Sequence, residues 1–323
     1  MVSPFAAKTK HASKTKRSAR AQSRRARVSV VIVNFNAGAY LGAAVESLLT
    51  QDEAPLEIIV VDNASRDASL DALAKVPAKS LRLHRLEHNS GFSAACNLGL
   101  RDAHGEMILL LNPDCRLYPG ALTALCEALE GRSDAGLTGA RLLNPDGSPQ
   151  RGSRRDIPTP WSIFCEVLQL HRLMARHPRF RSFNRHLEPL PDEPEVVSAV
   201  SGACMLIRRE ALSEAGQLDE SYFLHFEDLD LCLRFDQVGW SVLFAPDAVV
   251  EHTPGVCSAG RPVRVSYAKH RSLIRFLRKH FAEYYPSSFM ALVSALVMVR
   301  FVLMIPAVWL MRERPKAPAG GLR

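Results

Sequence analysis

The chain places carboxylates and amides directly after runs of apolar residues, where a sheet can expose them at one edge. Asp62 follows the apolar run Glu57–Val61. A carboxylate there can accept a hydrogen bond from the imide N–H of uracil or thymine, a group that adenine and cytosine lack. Asn36, in the turn after another apolar run, can face the same base. The alternative at Asp62 is an Asx turn that caps the strand.

Two further segments offer ligands for a charged nucleotide. Asp114 closes the turn after Glu106–Leu111. Its carboxylate suits a hard cation, because Mg²⁺ is commonly held by one or two carboxylates together with diphosphate oxygens. A strand-ending turn is the alternative there. Residues 89–97 open a helix with small residues and free amide groups, which suits a nucleotide or phosphate and equally an ordinary capped helix start.

Acidic residues concentrate at the start of a helix predicted for Glu227–Val238. Glu227, Asp228 and Asp230 lie there among bulky apolar residues. The helix dipole stabilises acids in a first turn, which is a structural explanation, and it also keeps a carboxylate ionised and available as a base. His252 follows an apolar pair and a glutamate, and it is either a structural histidine or a ligand.

Alternating strands and helices must position these residues. Such alternation predicts right-handed βαβ units, a mostly parallel sheet, and ligands beyond the carboxyl ends of its strands. The first half predicts strands at Val28–Val33, Glu57–Val61, Leu81–Leu86 and Glu106–Leu111, with helices at Tyr40–Leu49, Ala68–Lys75 and Phe92–Asp102. The second half predicts strands at Leu137–Leu142, Ala203–Ile207, Ser241–Phe244 and Ala248–Glu251, with helices at Pro158–Arg176, Glu227–Val238 and Tyr267–His280.

Composition excludes several classes of protein. The 323 residues are 47% apolar and 23% charged, which rules out a disordered or collagen-like chain. The net charge of +8 arises in residues 1–27, which hold nine Lys or Arg and no acid and leave 32 basic against 33 acidic residues elsewhere. Seven cysteines without paired spacing favour a reducing compartment. The absence of a secretory signal predicts a catalytic part in the cytoplasm.

Two segments suggest contact with a membrane. The basic tail 1–27 is predicted to be disordered, as a solubilising arm or an attraction to anionic lipid; without interleaved aromatics it does not favour nucleic acid. Phe289–Met311 is apolar apart from Ser294, Arg300 and Pro306, and as a helix would be about 35 Å long. That length crosses a bilayer, whereas Arg300 opposes a span. A span, an in-plane helix and a buried helix all remain open.

The joint order of these segments resembles the family 2 glycosyltransferases. The matching segments are VSVVIVNFN, VDNAS, NSGFSAACN, LLLNPD, SGACMLIRR, FEDLDLCLR and a later EH. The chain is most similar to bacterial rhamnosyltransferase-like members that build cell-envelope polysaccharides. The resemblance implies an α/β GT-A fold, an inverting reaction and a nucleotide-diphosphate-sugar donor, with dTDP-rhamnose or a UDP-sugar favoured. The predicted parts are a basic tail at 1–27, a GT-A domain at 28–282, a membrane-associated helical segment at 283–311 and a basic tail at 312–323.

The resemblance also assigns roles to residues. Asp228 matches the general base. Asp114 matches the last acid of the family's DxD motif, with Asn112 in place of the first, and His252 matches a position that in some members ligates the metal or touches the diphosphate. Mg²⁺ or Mn²⁺ is therefore expected. The residues expected to bind substrate are Asn36 and Asp62 at the nucleoside, Asn89, Gly91 and Asn97 at the helix start, Gly202 beside a sugar, Glu227, and Arg271 at the donor phosphates.

These roles predict an enzyme at the cytoplasmic face of the cytoplasmic membrane, acting on a glycan or polyprenyl-diphosphate-linked acceptor. Asp228 would take the proton of the acceptor hydroxyl as that hydroxyl attacks the anomeric carbon. Two other classes compete. A nucleotidyltransferase usually has a glycine-rich basic loop after the first strand, and residues 34–36 offer none. A non-catalytic sugar-nucleotide-binding protein would be free to lose Asp228, which is present.

Overall fold

A mixed β-sheet forms the centre of the protein. The computed structural model describes residues 28–52, 55–77, 80–170, 177–180, 182–257 and 260–311, so the tails predicted at 1–27 and 312–323 lie outside the described residues. Within the described part the strands are β1 Val28–Asn34, β2 Glu57–Asp62, β3 Leu81–Arg85, β4 Met107–Leu111, β5 Cys115–Leu117, β6 Ala135–Leu143, β7 Arg154–Arg155, β8 Glu195–Val196, β9 Ala199–Val200, β10 Cys204–Arg208 and β11 Ser241–His252.

The strand order brings the polar strand ends to one edge. The sheet runs β3-β2-β1-β4-β10-β6-β11-β5, with β8 beside β11, while β7 and β9 form a separate ribbon. Strands β3, β2, β1 and β4 are parallel, as predicted, and pair Asn34 with Asp62 at their carboxyl ends. Strand β10 enters antiparallel between β4 and β6, and β11 then runs parallel to β6. The carboxyl ends of β1, β2, β4 and β11 therefore share an edge with the start of β10.

Helices cover both faces of the sheet, which is why its central strands are continuous apolar runs. One core includes Leu41, Leu48 and Leu125 from helices on the first face. The other includes Cys96, Phe235 and Phe276 from helices on the second. The helices are α1 Ala39–Leu49, α2 Phe92–Asp102, α3 Ala121–Glu130, α4 Pro160–Val167, α5 Arg209–Ala215, α6 Glu227–Gln237, α7 Pro262–Phe281 and α8 Ser287–Met311.

Several predicted elements differ from those observed. The sequence predicts one helix at 158–176; α4 starts at a capping box between Thr159 and Ser162 and ends at Val167, and residues 171–176 lie outside the described residues. The two strands predicted between 241 and 251 are one strand, β11, whose pairing with β6 shifts register between Ala245 and Val249. Pro246 lies in that interval and has no N–H to donate, so the strand continues past an interruption in its ladder. Ser69–Lys75 is a 3₁₀ helix.

Helix α8 folds back along α7 and exposes a long apolar stripe. The ring of Phe301 lies 5.6 Å from that of Tyr267 and 5.4 Å from that of His270. Arg300 lies beside this packed face, since its charge, with that of Lys269, helps burial to lower the pKa of His270. Ser287–Trp309 is long and apolar enough, by length and composition, to cross a membrane. The exposed stripe holds Leu292, Val299, Val302, Leu303 and Trp309.

Candidate active site

The ends of β1 and β2 are joined by buried hydrogen bonds around the carboxylate of Asp62. Asn34 Nδ2 donates to Asp62 Oδ1 at 2.8 Å and to Ser69 Oγ at 2.8 Å. The second carboxylate oxygen accepts the backbone N–H of Ser65 at 3.2 Å. Asp62 therefore holds the two loops together through an N–H three residues on, one residue further than in an Asx turn, and each of its oxygens keeps a further lone pair for a ligand.

Asn36 joins the same loops from the outer side. Its backbone N–H donates to Ser65 Oγ at 3.0 Å, and its side-chain oxygen accepts the N–H of Arg66 at 2.7 Å. Its φ of +49° is a left-handed conformation that Asn adopts more readily than most residues. The structure thus brings Asn36 and Asp62 together on one wall of the cleft.

Asn63 connects this wall to the loop before α2. Its Nδ2 donates to Asn89 Oδ1 at 3.2 Å and to the carbonyl of Gly91 at 3.1 Å, and its Oδ1 accepts the N–H of Ser90 at 2.9 Å. Sequence analysis did not select Asn63, although it follows Asp62 directly. Asn63 thereby ties the 89–91 loop to the end of β2, and nucleotide binding by Asn89 and Gly91 stays a prediction.

A segment that we call the strap, Leu218–Phe223, is fastened to the start of α2. The N–H of Phe92 donates to the carbonyl of Phe223 at 2.8 Å, and Ser93 Oγ donates to that of Tyr222 at 2.8 Å. Gly91 has a φ of +91°, and a Cβ there would meet the Phe223 ring and carbonyl at 2.9 Å. Glycine is required at this position by both conformation and space.

Asn97 belongs to the strap contacts and not to the cleft wall. Its Nδ2 donates to the carbonyl of Leu218 at 2.8 Å and to Glu220 Oε1 at 2.9 Å, and its Oδ1 accepts the N–H of Leu218 at 3.1 Å. It is 3% exposed, so little of it is open to a ligand. The amide group of Asn97 thus positions the strap, and the expectation that Asn97 binds substrate stays a prediction.

Asp114 and His252 face each other at the carboxyl edge, where β5 and β11 meet. The Nε2 atom of His252 lies 3.2 Å from Asp114 Oδ1, an oxygen without a hydrogen-bond donor among the described residues. Asn112 borders the pair, with its Nδ2 3.5 Å from the same Nε2 atom. Asp114 and His252 are both buried, so their mutual orientation is fixed by the fold.

Gln150, which sequence analysis missed, sets the tautomer of His252. Its Nε2 donates to the carbonyl of His252 at 3.1 Å and to Asn144 Oδ1 at 3.0 Å, which leaves its Oε1 facing His252 Nδ1 at 2.6 Å. Because an amide oxygen only accepts, Nδ1 carries a proton. In the neutral imidazole the lone pair of Nε2 then faces Asp114 Oδ1, and two facing acceptors are an arrangement that fits a bound cation.

Cys115 lies close to this pair but is a poor ligand. Its thiol can join Asp114 and His252 in a group whose ligand atoms lie within 4.8 Å of one another. The Sγ–H donates to the carbonyl of Ala203 at 3.3 Å, and burial raises the pKa of the thiol well above its ordinary value. Since the thiolate is the form that binds metals, the candidate protein ligands are Asp114 and His252.

Asp228 is held at the first turn of α6 by three donors. Arg155 forms a salt bridge with its Oδ2, the N–H of Gly202 donates to the same oxygen at 3.1 Å, and the N–H of Leu229 donates to Oδ1 at 2.8 Å. Burial raises the pKa of Asp228, but these groups outweigh it and hold that pKa below its ordinary value. The carboxylate is therefore ionised at neutral pH, as a base must be.

Gly202 positions Asp228 and also links it to the cation pair. A Cβ at Gly202 would lie 3.1 Å from the Cβ of Asp228. The next residue, Ala203, accepts the N–H of Asn112 at 2.8 Å through its carbonyl. Two consecutive residues thus connect the candidate base with the segment that carries Asp114.

The two acids that flank Asp228 differ from it and from each other. Burial and the nearby charge of Asp228 raise the pKa of Glu227 to about 8, so Glu227 is mostly a neutral acid at pH 7. Asp230 is fully buried, with Arg234, Lys279 and His280 within 2.8 Å. These partners outweigh burial and lower the pKa of Asp230 to about 2. Asp230 fastens α6 to α7, and Asp228 alone combines an ionised carboxylate with a place beside Gly202.

Arg271 lies apart from the other predicted residues. It is exposed on α7, where it lines a groove with strap residues Ser221 and Phe223. The donor-side residues Asp62, Asn89 and Asp114 do not line this groove. Arg155 is the third residue that sequence analysis missed, after Asn63 and Gln150, because it is separated from its partner Asp228 by 73 positions.

The mixed sheet flanked by helices is the GT-A glycosyltransferase fold. The solved structures similar to it include a mannosyltransferase from Pyrobaculum calidifontis in complex with GDP-Man and Mn²⁺, with a TM-score of 0.56, 17% identity, and coverage of 92% of this chain and 78% of that one. Another is GalNAc-T7 with UDP, GalNAc and Mn²⁺, with a TM-score of 0.54, 19% identity, and coverage of 88% and 58%.

The chain belongs to glycosyl transferase family 2, whose family model matches residues 29–216. It is 30% identical over 261 residues to an N-acetylglucosaminyl-diphospho-decaprenol L-rhamnosyltransferase of Mycobacterium tuberculosis, which covers 77% of this chain and 83% of that protein. The predicted family, the GT-A fold and the assignment as a glycosyltransferase are confirmed.

Proposed function

We propose that the enzyme transfers a sugar from a nucleotide-diphosphate donor, with inversion, to a hydroxyl of a polyprenyl-diphosphate-linked acceptor in cell-envelope glycan synthesis. The observation that carries this proposal is the ionised Asp228 carboxylate at the sheet edge, joined through Gly202 and Ala203 to the segment of Asp114. In this proposal residues 28–282 form the catalytic domain and residues 283–311 associate with the membrane.

Asp228 supplies the base. An acceptor hydroxyl is a weak nucleophile, so removal of its proton in the transition state accelerates attack on the anomeric carbon. Attack from the side opposite the leaving diphosphate inverts the configuration. Arg155 keeps Asp228 ionised and oriented, and Glu227, as a neutral acid, can donate a hydrogen bond to a sugar oxygen.

Asp114 and His252 hold the divalent cation, Mg²⁺ or Mn²⁺. Their facing acceptor atoms and the tautomer set by Gln150 support this assignment. The cation, when bound, neutralises charge that develops on the leaving diphosphate. The neutral Asn112 lowers the charge of the site, which makes His252 the more important partner of Asp114.

The nucleoside lies on the wall built from Asn36, Asp62 and the 89–91 loop. These residues are brought together by the hydrogen bonds of Asn63 and Ser65. The relative's name supports dTDP-rhamnose as the donor and a diphosphate-linked N-acetylglucosamine as the acceptor. A UDP-sugar is the second candidate donor, because uracil, like thymine, has an imide N–H that can donate a hydrogen bond to Asp62.

The enzyme works at the cytoplasmic surface of the membrane, with α8 in the plane of the interface. The packing of α8 along α7 supports an in-plane helix over a span, because one of its faces is already covered by protein. Its exposed stripe is apolar, and Arg300 lies beside the opposite, packed face. Such a helix inserts its apolar face at the boundary between headgroups and acyl chains.

The test is a transfer assay with a panel of dTDP-, UDP- and GDP-sugars and N-acetylglucosaminyl-diphospho-decaprenol in vesicles. We expect transfer from dTDP-rhamnose with inverted anomeric configuration, read by NMR of the product. Nucleotide release without a glycosylated product would favour hydrolysis of the donor, and donor binding without nucleotide release would favour a non-catalytic role. Pyrophosphate release from a nucleoside triphosphate and a sugar phosphate would favour a nucleotidyltransferase.

A further inference from the structure

The groove along α7 is strongly basic. It encloses about 710 Å³ between α7 and the strap, a size typical of small-molecule sites. Four arginines and one lysine of α7 line it, together with the aromatic rings of Phe223 and Tyr267. The arginines recur at helical spacing on one face of the helix, and they are Arg264, Arg271, Arg275 and Arg278.

Part of this charge is already used within the protein. Asp219 of the strap pairs with Lys279 at 2.8 Å and lies 3.7 Å from Arg275. Among the residues that the structure describes, Arg264, Arg271 and Arg278 pair with no carboxylate, and all three are exposed. Arg264 lies over the Phe223 ring, with its Cζ 5.8 Å from the centroid. Three cations thus remain for an anionic ligand with several oxygen atoms.

The groove lies between the candidate base and the exposed stripe of α8. On one side, Phe223 of the strap lines the groove and precedes Asp228 by five residues in the chain. The connecting segment is held in place by Ser272 Oγ, which donates to the carbonyl of Leu224 at 3.0 Å. On its other side, Tyr267 both lines the groove and packs against Phe301 of α8. A ligand in the groove would therefore lie near the bilayer surface if α8 rests in the interface.

The donor diphosphate has a different place. In the proposed function it lies at the carboxyl edge of the sheet with Asp114 and His252, and neither residue lines the groove. A second diphosphate in the same reaction belongs to the lipid-linked acceptor. Arginine guanidinium groups bind phosphate oxygens with paired, directional hydrogen bonds, which suits a diphosphate better than a singly charged headgroup.

We propose that the α7 groove binds the diphosphate of the lipid-linked acceptor through Arg264, Arg271 and Arg278. This assignment rests on the proposed function and replaces the expectation that Arg271 holds donor phosphates. The groove fixes the lipid end of the acceptor, so its sugar hydroxyl reaches Asp228 from the strap side while the donor enters from the β1 and β2 side.

The test compares Michaelis constants for the two substrates. Arg271→Gln and Arg278→Gln should each raise the KM for N-acetylglucosaminyl-diphospho-decaprenol about tenfold, with the KM for the donor changed less than twofold. The matched control is Arg132→Gln, an exposed arginine that follows α3 and pairs with Asp134. Equal melting temperatures show that the variants fold. A rise in donor KM, or no rise in acceptor KM, overturns the proposal.

A binding measurement separates the diphosphate from general attraction to anionic lipid. Wild type and variants are sedimented with phosphatidylcholine vesicles that carry either the diphosphate acceptor or phosphatidylglycerol at the same surface charge. We expect the substitutions to weaken binding to the diphosphate vesicles only. Equal losses on both vesicles would identify a nonspecific electrostatic surface. This measurement needs no catalysis, so it tests the groove even if wild type transfers no sugar, which would refute the proposed function instead.

Discussion

The two sides of the cleft are held together by different interactions. On the β1 and β2 side, the amides of Asn34 and Asn63 bridge neighbouring loops by hydrogen bonds to the Asp62 carboxylate, the Ser69 hydroxyl and the backbone N–H of Ser90. On the α6 and α7 side, the acids Asp228 and Asp230 are fixed by arginine, lysine and histidine. Ion pairs between oppositely charged side chains respond to pH and salt more than hydrogen bonds of amides do. In our proposal the first side binds the donor and the second the acceptor, so we expect the acceptor side to depend more strongly on charge.

The largest expected effect is on the charged side. Asp228→Asn should lower kcat by about 10²–10⁴-fold, because the amide cannot accept the proton of the acceptor hydroxyl. Donor binding, measured by calorimetry, should change little. Asp236→Asn removes an exposed acid of the same helix and serves as the control. Near-normal turnover in the Asp228 variant would mean that another residue is the base, and the α6 and α7 side would then differ from the β1 and β2 side in structure only.

A second prediction concerns the cation at the edge between the two sides. Gln150→Leu should weaken Mn²⁺ binding about 10–100-fold, because His252 loses the acceptor that fixes its tautomer. Excess chelator should abolish transfer by the wild type. Titration of activity with Mn²⁺ measures the effect, and excess metal should restore the Gln150 variant. Full activity in chelator would mean that fixed cations of the protein neutralise the diphosphate.

A third substitution tests how rigid the donor side is. Gly91→Ala should reduce the free energy of unfolding by about 1–3 kcal/mol for the strained backbone alone, with a further loss from the clash with Phe223. Gly147→Ala has a similar positive φ but open space around the added Cβ, so it isolates the backbone contribution. Chemical denaturation measures both. Equal destabilisation would show that the loop shifts freely and is not preorganised.

The smallest expected effect comes from Arg155 and tests whether its charge keeps Asp228 ionised. Arg155→Met removes the cation that lowers the pKa of Asp228, so that pKa rises. As the solution is acidified, activity should then be lost at a higher pH than in the wild type, so the acid limb of the kcat/KM profile moves upward. Arg155→Lys keeps the charge and should displace the limb less. An unchanged limb would mean that Gly202 and the helix start alone keep Asp228 ionised.

Sequence reasoning located the donor side better than the acceptor side for a physical reason. Apolar runs predict strands locally, and parallel strands bring their polar ends to one edge, so Asp62 and Asp114 could be placed from the sequence. Helices α7 and α8 were likewise predicted from local pattern. Gln150 and Arg155 carry no such signal, because they reach His252 and Asp228 across 102 and 73 positions. The antiparallel entry of β10 also depends on tertiary packing.

Single residues show the same limit. Asn97 was predicted to bind substrate because it lies in a helix start rich in small polar residues, but its partners come from the strap, more than 120 positions away. Asp230 and Asp228 look equivalent in the sequence. Burial against Lys279 and His280 makes Asp230 structural, and a place beside Gly202 makes Asp228 available.

The strap also limits how members of this family can recombine. At position 91 only glycine leaves room for the Phe223 ring, and the Asn97 amide donates a hydrogen bond to Glu220. Each half of the protein therefore carries residues that are matched to residues of the other half. A chimera that joins the first half of one enzyme to the second half of another has to inherit these four positions from one parent. An exchange of α7 leaves these four positions intact but has to keep Lys279 and His280, which hold Asp230, so only the groove arginines of that helix can vary freely between enzymes.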